Sequence, residues 1–127
     1  MRLGLPEVLF FHTVAIQQYG GRGGIRDSGA LEAAIARPWI RFRGRRDTYP
    51  TLFDKSAAIC EAIIRNHPFV DGNKRTALSA GAYLLSTFGW EVDAQPSELE
   101  DVAVDVATGH MTLEDLSAWF EAHASKT

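Results

Sequence analysis

The chain is poor in the features that mark a secreted or membrane protein. It has one cysteine, Cys60, among 127 residues, so a disulfide framework within the chain is excluded. That thiol sits in an apolar stretch, which suits a reducing compartment. No hydrophobic run is long enough to cross a bilayer. The opening MRLGLPEVLFFH has a single basic residue and is interrupted by Pro6, so it resembles neither a signal peptide nor an anchor. The expectation is a cytoplasmic protein. Internal repeats, low-complexity tracts and a dividing linker are also missing, which leaves one domain over residues 1–127. Basic residues almost vanish from the last third. Up to residue 90 there are twelve Lys and Arg against seven Asp and Glu, and thereafter one against nine. A positive first part suits an anionic ligand such as nucleotide phosphates or nucleic acid, although a solvated acidic tail would give the same division.

What is present is helical periodicity. Leu52, Phe53, Ser56, Ile59, Cys60, Ile63 and Ile64 recur at helical spacing and predict one buried stripe. Thr51 with Asp54, after Pro50, supplies a capping-box start. Ala77, Leu78, Gly81, Leu84, Leu85 and Phe88 repeat the pattern as far as Gly89. An opening helix is predicted over 7–19, and a shorter one from Ser28 or Gly29 to Arg37, stopped by Pro38. Two further starts are read at Ser97 with Glu100 and at Thr112 with Asp115. Only 90–94, and to a lesser degree 39–44, look extended. Two isolated strands cannot make a core, so the fold class is all-α.

Between the two central helices stands NHPFVDGNKRTAL, residues 66–78. Pro68 disfavours helical geometry at His67, and a new helix begins after Asp71-Gly72, so the polar side chains must converge. Exposed N–H groups at Gly72, Asn73 and Lys74, together with the helix dipole, would receive an anion. Gly72 would let a phosphate approach the backbone. Lys74 and Arg75 would neutralise phosphate oxygens, and Asp71 would hold magnesium. Histidine can be neutral near physiological pH, so His67 could take a proton from an attacking hydroxyl. Asn73 would orient a phosphate or the loop, and Phe69 would anchor the loop in the core. Taken singly, His67 could be structural and Asp71 a helix N-cap. The cluster as a whole meets the needs of phosphoryl or nucleotidyl transfer.

HPFVDGNKR resembles the signature of the Fic/Doc superfamily. GIRDSGALEAAIARP (24–38), YPTLFDKSAA (49–58) and GHMTLEDLSAWF (109–120) resemble its death-on-curing branch. The resemblance implies a compact six-helix fold in which the motif faces a nucleotide groove. It makes His67 the base, Asp71 the ligand of Mg2+, and Gly72, Asn73, Lys74 and Arg75 the phosphate-binding residues for ATP, with Arg65 a further candidate. AMP-transferring relatives carry glycine where this chain has Lys74. The lysine therefore implies transfer of the γ-phosphate of ATP to a threonine of a target such as elongation factor Tu, with AMP transfer as the alternative. A growth-arresting toxin held by a small antitoxin is the implied setting, because no self-inhibiting Ser/Thr-x-x-x-Glu-Gly/Asn motif is found. An RNA-cleaving or ribosome-binding toxin is the remote alternative.

RPWIRFRGRRD interleaves five arginines with Trp39 and Phe42. In such a fold Trp39, Arg41, Phe42 and Arg43 correspond to a flap that aligns the target beside the motif. A solvated loop comes second, and nucleic-acid binding last. His12 is expected to be a hydrogen-bonded packing residue. His110 and His123 are expected to face solvent, while Trp90 and Trp119 anchor the core.

Overall fold

The computed structural model describes residues 3–127. Among the described residues there are six α-helices: α1 (Leu5–Tyr19), α2 (Ser28–Ala36), α3 (Leu52–Asn66), α4 (Asn73–Ser86), α5 (Pro96–Ala107) and α6 (Leu113–His123). The only sheets among the described residues are two antiparallel strand pairs, β1 (Arg41–Phe42) with β2 (Arg46–Asp47), and β3 (Trp90–Val92) with β4 (Ala124–Lys126). The described residues thus form an all-α fold of six α-helices.

The centre is α3. Ile59, Cys60, Ile63 and Ile64 are wholly buried, and α2, α4, α5 and α6 all pack on this helix. Its start is the expected reciprocal cap: Asp54 N donates to Thr51 Oγ1 at 3.0 Å, and Thr51 N donates to Asp54 Oδ2 at 3.4 Å. Helix α4 lies against α3, and Gly81 permits the closeness. A Cβ there would stand 2.8 Å from Phe120 Cζ and 3.3 Å from the Ser56 carbonyl oxygen. Thr112 and Asp115 cap α6 as read from the sequence.

Other local readings shift. Helix α5 begins at Pro96, where the fixed φ of proline suits a first helical position, and Glu98 accepts from Gln95 N. Ser97 and Glu100 therefore do not form its cap, and Glu100 pairs with Arg75 instead. Strand β4 had no signal, because its residues ASK carry no alternating pattern and gain their form by pairing with β3. Trp39 closes a 3-10 turn over Arg37–Trp39, and only Arg41–Phe42 of the following stretch is extended. His123 is half-buried rather than solvated. It stacks on Trp119 and lies 3.2 Å from Glu98 Oε2.

Candidate active site

Helix α3 ends where proline dictates. His67 is its C-cap in the left-handed region (φ 48°, ψ 60°), an uncommon conformation for a residue with a side chain. Phe69 then turns inward and is wholly buried. Asn73, itself buried, ties the loop shut: its Oδ1 accepts from Phe69 N and its Nδ2 donates to Phe69 O, both at 3.0 Å. Of the two tasks read for Asn73, holding the loop is the one its amide performs here. Its Nδ2 is also 3.5 Å from His67 Nδ1, too long to fix the tautomer of that ring.

His12 of α1 lies beneath the loop. Its ring stacks on Phe69 at 3.9 Å between centroids, and its Nε2 lies 2.9 Å from the Asp71 carbonyl oxygen. A carbonyl only accepts, so Nε2–H is the donor. His12 is thus the hydrogen-bonded packing residue expected, and it lies directly under the motif.

Gly72 has φ 80° and gives α4 no side-chain cap. A Cβ at Gly72 would lie 3.3 Å from Ile16 Cδ1 and 3.5 Å from His12 Cδ2. Backbone conformation and contact with α1 each demand glycine at this position. The first amides of α4 remain orphan donors, as at any uncapped helix start. Thr76 N is the one that bonds back to Gly72 O, at 3.1 Å.

His67 and Asp71 are exposed on this loop, and Lys74 is exposed in the first turn of α4. Asp71 Oδ2 accepts from Arg22 N at 2.7 Å, so the carboxylate is aimed while an oxygen is left over. Arg75 is already engaged. Its Nη2 is 2.7 Å from Glu100 Oε1, and its guanidinium carbon lies 3.3 Å from the centroid of the Tyr19 ring. Arg65, in the last turn of α3, reaches toward the α5–α6 turn, where its Nη2 would stand 3.7 Å from a Cβ at Gly109.

A largely apolar groove of about 540 Å³ runs between α1, α4 and α5, lined among others by Phe11, Leu78, Leu99 and Val104. It shares Lys74 and Arg75 with the motif, but His67 and Asp71 are not in its lining.

The arginine-rich hairpin is anchored at the end of α3 opposite to the loop. Asp47, paired with Arg41, binds Lys55 Nζ at 3.0 Å in the first turn of α3, and Trp39 lies beside Phe88, beyond the far end of α4. Helical rise puts about 18 Å between Lys55 and His67. The hydrogen bond from Lys55 is the main reason that Asp47 has a carboxyl below the ordinary carboxylate range. Burial of Cys60 pushes its thiol well above the ordinary range, so it is a packing group and no nucleophile.

Against known proteins, residues 2–85 match the model of the Fic/DOC family. The chain belongs to the Fic/DOC family. Among its curated Fic/Doc relatives, Toxin Doc of Mycolicibacterium smegmatis is 41% identical over 118 residues, covering 91% of this chain and 88% of the relative. Protein kinase doc of Escherichia phage P1 is 36% identical over 111 residues, covering 87% of this chain and 86% of the relative. The Fic/Doc signature is thus a loop pinned by Asn73 and His12, with His67 and Asp71 left exposed on its outer side.

The partners missed in the sequence are Arg22, Arg26 and Lys55. All three are long or backbone-mediated reaches; Arg26, for instance, bonds residues 40 and 41 positions away. The glycine-rich run at 20–24 hinted at an unusual backbone, and Gly20, Gly21 and Gly24 do have positive φ.

Proposed function

We propose that this chain is a Doc-type toxin that transfers the γ-phosphate of ATP to a protein hydroxyl. The threonine of a translation factor of the elongation factor Tu type is the substrate class that the resemblance favours. The observation that carries this reading is the exposure of His67 and Asp71 on one loop tied by Asn73, beside the uncapped start of α4 and the exposed cation of Lys74. A relative named as a protein kinase supports it.

In this reading the orphan amides of α4, with Lys74 and Arg75, bind and orient the phosphates of ATP. The target hydroxyl oxygen attacks the γ-phosphorus, the bond to the β-phosphate oxygen breaks, ADP leaves, and His67 takes the hydroxyl proton. Mg2+ fits the oxygen donor of Asp71, and no cluster of three or more His, Cys, Asp or Glu that could hold a metal lies among the described residues. Such an ion would take the rest of its shell from phosphate and water, and when bound it would neutralise developing charge. Arg75 must leave or share Glu100 to reach a phosphate. Arg65, which points toward the α5–α6 turn, would contact the nucleotide only by swinging from it.

Trp39, Arg41, Phe42 and Arg43 would hold the target from a hairpin anchored at the first turn of α3. About 18 Å of α3 corresponds to five or six residues of extended chain. A small antitoxin is the proposed partner. An amphipathic helix of that partner would fit the apolar groove and would screen Lys74 and Arg75 from ATP. The reducing cytoplasm is the setting that goes with this reading.

ATP labelled separately at the α and γ positions, given to the protein with cell extract, tests it. Label on protein from γ alone, abolished in His67→Ala, is expected. Label from α would make the protein an AMP transferase. Cut RNA with no labelled protein would refute both.

A further inference from the structure

The left-handed backbone at His67 costs energy that the surrounding structure must supply, and the carbonyls at the end of α3 have no helical donor. One residue outside the signature meets both needs. Arg26 N donates to Pro68 O at 2.7 Å, Arg26 Nε to His67 O at 2.6 Å, and Arg26 Nη2 to Asn66 O at 2.6 Å. Three successive carbonyls are therefore held by a single arginine. Holding them sets the two peptide planes that flank the Cα of His67, and with them the bearing of its imidazole. A cation at a helix C-terminus also interacts favourably with the helix dipole.

The segment carrying Arg26 is itself fastened to the loop. Val70 N donates to Gly24 O at 3.1 Å, Ile25 and Phe69 form a β-bridge, and Asp27 N donates to Pro68 O at 3.0 Å. The guanidinium fork matters here, because a lysine ammonium is a point donor without the planar geometry that serves two acceptors at once.

We propose that Arg26 is the positioning residue for His67: its guanidinium, bridging the carbonyls of residues 66 and 67, holds the imidazole where it can meet an incoming hydroxyl. The kinetic part of the test rests on the phosphotransfer reading, while the spectroscopic part does not.

The full-length protein would be compared as wild type, Arg26→Ala, Arg26→Lys and the exposed-site control Glu121→Ala. In NMR, the backbone carbon shifts of His67 should report the left-handed conformation in wild type. They should move or broaden in Arg26→Ala while the Ile59 and Ile63 signals stay fixed. In γ-phosphate transfer, kcat should fall about 10- to 100-fold, the scale of misplacing a reacting group. KM for ATP should hold within about twofold, because the phosphate-binding residues are untouched. Arg26→Lys should fall between, and it carries the comparison if the alanine variant does not fold. General loosening of the fold would instead raise KM and shift the core signals too, and that outcome overturns the proposal. Unchanged His67 shifts, or an unchanged kcat, overturn it as well. If wild type transfers no phosphate at all, the functional reading fails, and the NMR comparison still decides the role of Arg26.

Discussion

Replacing Asn73 by aspartate swaps one donor for an acceptor with almost no change of shape. In the native loop Asn73 Oδ1 accepts from Phe69 N and Nδ2 donates to Phe69 O, each at 3.0 Å in a buried setting. Aspartate preserves the first bond and turns the second into a carboxylate oxygen facing a carbonyl oxygen. A buried carbonyl left without its donor costs about 1–3 kcal/mol, and the buried charge adds to this, so a loss of about 2–4 kcal/mol is expected at pH 7. For 127 residues the unfolding entropy is about 0.27 kcal/mol/K, so melting should fall by about 7–15 °C. The sign with pH is also set. Burial and the facing carbonyl raise the folded carboxyl above its unfolded value of about 3.9. The deficit should therefore be complete above the raised value and shrink as pH falls through it, because the protonated acid regains an O–H that can donate to Phe69 O. His67→Ala is the right parent, so that no imidazolium pairs with the new carboxylate. Thermal melts followed by circular dichroism at pH 7 and pH 5 would measure both effects. Melting within about 2 °C of the parent at pH 7, or an equal deficit at both pH values, would refute the reasoning.

Cys60 should be inert to a thiol reagent in the native protein, and one equivalent should react after guanidinium unfolding, because burial holds the thiol protonated. Modification of folded protein with its circular dichroism intact would contradict this. Gly72→Ala should lower stability by about 1–3 kcal/mol from the left-handed backbone and the tight contact with Ile16. A melting drop of about 4–11 °C would register it, and an unchanged or higher midpoint would count against the stated reason for glycine.

Helix type and order were legible in the chain because they rest on local rules. The apolar period of α3, the Thr51–Asp54 and Thr112–Asp115 caps and the stop before Pro68 each act within four residues. The position of the loop between α3 and α4 was legible for the same reason, since Pro68 stops the first helix and Asp71-Gly72 precede the second. What the fold alone settled lies at long sequence separation. Arg26 holding residues 66–68, His12 under Asp71 and Arg75 drawn to Glu100 are all of this kind. A hydrogen bond between residues forty or sixty positions apart leaves no period in the chain. It exists only once burial of the apolar stripes has brought the helices together, and that packing decides which polar groups meet and which stay exposed to a ligand.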